Sequence, residues 1–237
     1  MRQLTIDGTS LLTAYGVWIA GDNVYNGAEA NVETVKVPGR NGDLVYSNRR
    51  YNNFTVSYRA AIPSNMATRI ESLRAFLYKN IGYRKIKDSY HPNEYRMGRI
   101  TGNINPSEIG WNADAGLFTI SFDCKPQHFL DSGDTATEYS AGATIANPTQ
   151  FDAMPLMRVY GFGVVTLNGT NVTIAENNYS YVDIDSEIQD AYYGTTNLNQ
   201  FVTVSGDHFP VLSPGNNTLV LGTGITKVII TPRWWTL

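Results

Sequence analysis

One stretch of this 237-residue chain, and no other, carries an apolar repeat with the period of an α-helix. Met66, Ile70, Leu73 and Leu77 recur at spacings of four, three and four, which lines one face of a 3.6-residue turn. Pro63-Ser64 supplies a start signal, with Ser64 or Asn65 as N-cap, and Gly82 lies just past the end. A helix is therefore expected near residues 64–80, with Arg69, Glu71, Arg74 and Lys79 on its far face. Its stripe reads as core, not as a cofactor site. The rest must fold as strands and turns, and 21 Gly, 10 Pro and 15 Tyr suit that reading. At 42% hydrophobic residues the chain can fill a core, and its small net charge argues against disorder. No run approaches the roughly 18 apolar residues of a bilayer-spanning helix, so no membrane insertion is expected. The single Cys124 has no partner for an internal disulfide.

The strand signals before residue 130 are clear. Glu33 to Val37 alternates, Pro38 to Asp43 turns the chain, and Leu44 to Tyr46 leads onward. Asn41-Gly42 is the dipeptide best suited to a tight hairpin there. Phe54, Val56 and Tyr58 share a face of the next strand. Arg84 to Lys87 and Tyr95 to Ile100 read as strands after the helix. Phe118, Ile120, Phe122 and Cys124 then alternate with polar residues, and Pro126 is expected to end that strand. Leu11 to Ala20 is interrupted by Thr13, Tyr15 and Gly16 and led only by Arg2. It reads as a buried strand pair and not as a secretory signal, so sequons such as Asn53-Phe54-Thr55 carry no glycan meaning.

Charge divides the chain. Residues 1–130 hold 15 Lys/Arg against 11 Asp/Glu, residues 131–150 hold three acids and no base, and residues 151–237 hold three bases against seven acids. The middle segment, DSGDTATEYSAGATIANPTQ, is small and polar, as a linker or domain junction would be, with room for strands within Glu138 to Ile145. Two domains, 1–130 and 151–237, follow. In the second, short strand candidates at 157–160, 164–167, 172–174, 181–184, 201–204, 217–221 and 227–231 are punctuated by glycines, which suggests a β-sandwich of under a hundred residues.

Catalytic patterns are scarce. His91, His128 and His208 have no second His or Cys at metal-ligand spacing, and no nucleophile elbow or phosphate loop is present. Cys124 falls on a buried face, where a thiol is inert. Asp183 and Asp185 share a strand face and could take a cation or act as paired acids, although such a pair is more often solvated or bound in a turn. No enzyme, cofactor or metal is expected. Arg49-Arg50-Tyr51 and the run from Lys79 to Lys87 around Tyr83 interleave cations with aromatics, yet no groove-reading motif accompanies them, so partner contact or solvation is the better reading. A regular strand running on from Lys227 would put Val228, Ile230 and Trp234 on one face and Ile229 and Trp235 on the other. Only one indole then enters its own core, and the second must meet another unit, a partner or a ligand.

In order along the chain, Val37-Pro38-Gly39-Arg40-Asn41-Gly42-Asp43-Leu44, Tyr51-Asn52-Asn53, Leu73-Arg74-Ala75-Phe76-Leu77, Gly82-Tyr83, Lys87-Asp88, Glu94-Tyr95 and Phe122-Asp123-Cys124-Lys125-Pro126 resemble the N-terminal half of the distal tail proteins of long-tailed bacteriophages with non-contractile tails. Tyr181-Val182-Asp183-Ile184-Asp185 with Glu187, Phe209-Pro210-Val211-Leu212-Ser213-Pro214-Gly215-Asn216 and Thr231-Pro232-Arg233-Trp234-Trp235 resemble their C-terminal half. The resemblance implies a mainly β fold of two domains, an N-terminal β-sandwich with one α-helix and a C-terminal galectin-like β-sandwich. It implies a homohexameric ring at the virion tail tip, assembled in the host cytoplasm. That ring would join the tail tube protein to tail-tip or receptor-binding proteins, with DNA only in transit through its channel. No catalytic residue carries over, and Arg40, Arg49, Arg50 and Trp235 are the candidates for interface contacts. Two other readings stay open: a carbohydrate-binding tail adhesin, with an indole exposed beside Asp183 and Asp185, and a nucleic-acid-binding protein.

Overall fold

The computed structural model describes residues 2–22, 24–109 and 112–237, and the chain forms two compact units that divide between His128 and Phe129, with Leu237 grouped with the first. In the first unit the strands are β1 (Leu4–Ile6), β2 (Thr9–Ser10), β3 (Trp18–Asp22), β4 (Ala30–Val35), β5 (Leu44–Tyr51), β6 (Phe54–Ile62), β7 (Arg84–Asp88), β8 (Glu94–Thr101), β9 (Ser107–Ile109) and β10 (Asn112–Leu130). The helices are α1 (Leu11–Tyr15) and α2 (Met66–Tyr78). The main sheet runs β2-β1-β7-β8-β10-β6-β3, with β9 pairing the start of β10. It rolls on itself, because Ile19 in the last strand donates its N–H to the Arg2 carbonyl ahead of the second.

Alternation builds its core. Val56, Tyr58, Ala60 and Ile62 of β6 and Phe118, Ile120, Phe122 and Cys124 of β10 turn inward, matched in register from Phe118↔Ala60 to Cys124↔Phe54. Ile70, Leu73 and Leu77 of α2 complete the same cluster, so the helical stripe is core as its period required. Asn65 is the N-cap residue of α2, without a side-chain capping bond.

Three local expectations are corrected. Leu11 to Ala20 is not a strand pair: Ser10 caps a short helix by accepting from the Thr13 N–H, and Gly16, at φ 65°, ends it before β3 begins. The turn after β4 is not made by Asn41-Gly42. Val35 pairs Leu44 across a long loop, and Arg40 N–H closes on the Val37 carbonyl over Pro38 and Gly39 (φ 80°). Proline at the first and a positive-φ glycine at the second central position make this a type II turn. Pro126 does not end β10. Pairing with β6 stops at Cys124, so the missing donor of Pro126 breaks no bond to β6 and the strand runs on to Leu130.

In the second unit the strands are β11 (Thr137–Tyr139), β12 (Ala143–Asn147), β13 (Leu156–Gly161), β14 (Gly163–Leu167), β15 (Thr170–Ile174), β16 (Val182–Asp185), β17 (Asp190–Tyr193), β18 (Thr196–Asn197), β19 (Val202–Val204), β20 (Gly215–Leu221), β21 (Ile225–Thr231) and β22 (Trp235–Thr236). One sheet orders β11-β21-β13-β16-β17-β18 and the other β12-β20-β14-β15-β19. Met157, Val159, Val182, Ile184, Val228 and Ile230 from the first meet Val165, Leu167, Val172, Ile174 and Leu219 from the second in one cluster. Two sheets sharing one apolar layer make a β-sandwich. Residues 131–150, read from sequence as a junction, contribute β11 and β12 to this unit. Both are edge strands, where little apolar surface is needed, which is why their composition resembles a linker.

Candidate assembly interface

Among the described residues, β4 and β5 form a two-stranded ribbon that joins no larger sheet. Its apolar residues stand on both faces, Val32 and Val45 on one and Val35, Leu44 and Tyr46 on the other, and neither face is covered. Val32, Val35, Leu44, Val45 and Tyr46 are all exposed, Val45 to 60% and Tyr46 to 64%. A lone hairpin is marginal in water, and an exposed apolar cluster of this kind marks a contact surface. The base of the ribbon is tied down by polar side chains. Asn26 Nδ2 donates to the Thr55 carbonyl at 2.6 Å, and Asn53 Nδ2 to the Tyr83 hydroxyl at 2.7 Å.

Three of the four residues expected at an interface lie here. Arg40 closes the type II turn, and Arg49 and Arg50 lie at a bulge where register shifts between Ala30 and Val32. Arg49 takes φ 59°, its N–H bonding Ser47 Oγ, while Asn48 Oδ1 accepts from the Arg50 N–H. A bulge re-aims side chains, and all three arginines are exposed. Trp235 belongs to the second unit instead. It stacks on Phe151 at 4.4 Å between centroids and donates from Nε1 to the Asp152 carbonyl at 2.9 Å. The second indole therefore finds its partner within its own unit. The reason is that Arg233, at φ 58°, breaks the regular strand the sequence reading assumed, while Trp234 enters the core.

The carboxylate pair is spent on arginines. Asp183 takes a bidentate pair from Arg158 at 2.7 and 2.9 Å, and Asp185 takes one from Arg233 at 2.6 and 2.8 Å. Burial would raise the Asp185 carboxyl, but the hydrogen bonds and charge of Arg233 hold it below its ordinary value. The pair acts as two separate structural ion pairs, without the shared proton or open coordination that acid chemistry or a cation would need.

Sequence spacing missed a buried polar cluster in the first unit. Asp88 Oδ2 accepts from the Tyr58 hydroxyl at 2.6 Å and from Arg96 Nη1 at 3.0 Å, while Oδ1 accepts from the Tyr90 and His91 N–H groups at 2.8 and 3.0 Å. Arg96 also donates to His128 Nε2 at 3.3 Å and to the Val24 carbonyl at 3.0 Å. Glu94 approaches His128 Nδ1 at 3.6 Å. Burial pushes the Tyr58 hydroxyl far up, with Asp88 adding to it. Burial also raises the Asp88 carboxyl, but Tyr58, Arg96 and His91 together bring it below its usual value. Glu94 is lowered mainly by its hydrogen bond with His128. The donors and acceptors answer one another around a central guanidinium, and among the described residues no group of three or more ligating side chains could hold a metal. The signal in the sequence was parity: Asp88 and Arg96 stand on the inward-facing positions of β7 and β8. Cys124, beside this cluster, has its thiol pushed up to about 12 by burial, consistent with an inert core residue.

No family model and no curated protein matches the sequence. Among solved structures, the fold is similar to that of the Dit protein (gp 19.1) of SPP1, with a TM-score of 0.69, 14% identity, and all of both chains covered. That protein is described as a paradigm of the hub adsorption apparatus in phages that infect Gram-positive bacteria. At this identity the likeness speaks for the fold.

Proposed function

We propose that the chain is a structural hub of a phage tail tip, a homohexameric ring that joins the tail tube protein to the receptor-binding or fibre proteins and passes DNA through its channel. The observation that carries this reading is the β4–β5 ribbon, an apolar hairpin bare on both faces within a unit whose core is otherwise closed. Such a ribbon needs a covering surface, and a head-to-tail contact repeated around a ring supplies one for every copy. The end-to-end likeness in fold to a hub protein of an adsorption apparatus supports the same role. Arg40, Arg49 and Arg50 would flank the subunit contact, and the second unit would form a galectin-like sandwich in the virion. The adhesin reading loses its platform, because one indole is buried and the other is stacked on Phe151.

Native mass spectrometry across a range of protein concentrations tests this directly. A six-copy species is expected, alone or on adding tail tube and tail-tip proteins. A strict monomer under all of these conditions would overturn the hub.

A further inference from the structure

We propose that Asn41 is a site of self-modification, where the side-chain amide is lost through a cyclic imide that reopens as aspartate and isoaspartate. The dipeptide Asn-Gly occurs three times in the chain, at Asn26-Gly27, Asn41-Gly42 and Asn168-Gly169. Its chemistry is intramolecular. The backbone nitrogen of the glycine attacks Cγ of the asparagine, an N–Cγ bond forms, and the side-chain nitrogen leaves as ammonia with the proton that the attacking nitrogen gives up. Water that breaks the new N–Cγ bond leaves aspartate, and water that breaks the original peptide C–N bond leaves isoaspartate. No oxidant or reductant takes part. Glycine favours the attack because it has no Cβ to obstruct its nitrogen, and the rate then depends on how freely the two groups reach attacking geometry.

The fold separates these three identical dipeptides. At Asn168 both ends of the amide are held: Nδ2 donates to the Val211 carbonyl at 3.2 Å and to Asn217 Oδ1, while Oδ1 accepts from the Thr218 N–H at 3.0 Å. At Asn26, Nδ2 donates to the Thr55 carbonyl at 2.6 Å, and Oδ1 is enclosed. Asn41 lies exposed in the loop between β4 and β5, just past the turn that Arg40 closes. Neither its amide nor the Gly42 N–H has a hydrogen-bond partner among the described residues. Gly42 stands at φ 81°, with open space where a side chain would be. Swinging Cγ onto the next nitrogen therefore breaks no side-chain bond at Asn41, one at Asn26 and three at Asn168. The product sets a carboxylate beside Arg40, so an aged chain carries a different charge on the ribbon's loop. The chemistry stands whether or not the chain forms a ring.

The test incubates the full chain at mildly alkaline pH and physiological temperature for several days, folded and, in parallel, in concentrated guanidinium chloride. Peptide mapping by mass spectrometry follows the three Asn-Gly sites and separates aspartate from isoaspartate. In the folded chain we expect Asn41 to convert about tenfold faster than Asn168, and faster than Asn26, giving both products, because each bond that must open first lowers the population able to react. In denaturant the three sites should react at similar rates. The variant Asn41→Gln, whose extra methylene disfavours the ring, should stay unmodified there while Asn26 and Asn168 behave as in the parent. Equal rates at the three folded sites, a slower reaction at Asn41 than at Asn168, or aspartate without isoaspartate would overturn the proposal. So would an advantage of Asn41 that persists unchanged in denaturant, since the fold would then not be its source.

Discussion

Two strand pairs of the first unit differ in pattern and end differently in structure. β6 and β10 alternate apolar with polar residues, and their apolar face is sealed by α2 and the rolled sheet. β4 and β5 instead spread apolar residues over both faces, Val32 and Val45 on one and Val35, Leu44 and Tyr46 on the other, and remain bare on both sides. Alternation reports the geometry of a strand, and burial is decided by whether a second layer exists to receive the face. Among the described residues the ribbon meets no such layer, so its valines and Tyr46 stay exposed.

The comparison can be broken first at the buried polar cluster. Asp88→Ala strips Arg96 of its buried counter-charge and should cost about 3–5 kcal/mol, measured by urea unfolding. The same carboxylate gives the comparison a pH signature. Asp88 and Glu94 sit below their ordinary values in the folded state, so their contribution is whole above the unfolded carboxylate pKa and is lost as pH falls through the lower, folded one. Stability should therefore decline below the ordinary carboxylate range. The decline should be shallower in the Asp88→Ala variant, and parallel curves would show that the cluster does not carry it.

Leu73→Ala comes next. It opens a cavity under α2 and should cost about 2–5 kcal/mol in the same measurement. A loss near zero would mean that the helix does not seal the β6–β10 face.

The smallest expected effect on stability is at the ribbon. Val45→Asp, on a side chain already in water, should change the unfolding free energy by about 0.5 kcal/mol or less. Its effect should instead fall on assembly, with the six-copy species diminished in native mass spectrometry. A large loss of stability with assembly intact would place the ribbon with the core strands and remove the contrast.

Much of this molecule was legible from residues alone, because the deciding interactions are local. The period of α2, the alternation of β6 and β10 and the glycine-punctuated strands of the second unit follow from where neighbouring side chains must point. The signals that start and end α1, Ser10 and Gly16, are equally local. Edge strands β11 and β12 were harder, since a strand paired on one side needs few apolar residues to hold it.

What the sequence could not supply is the meeting of distant residues. His91 and His128 come within 6.3 Å between ring centroids, around Arg96, only because β8 and β10 lie in one sheet. The sequence by itself determined a mainly β chain with one substantial helix and a basic first part. Tertiary structure alone decided that Trp235 is satisfied by Phe151, that Asp183 and Asp185 are bound to separate arginines, and that the β4–β5 ribbon is left uncovered. The reason is physical: pattern and propensity act over a few residues, whereas a partner across a sheet or a missing second layer exists only once the whole chain has closed.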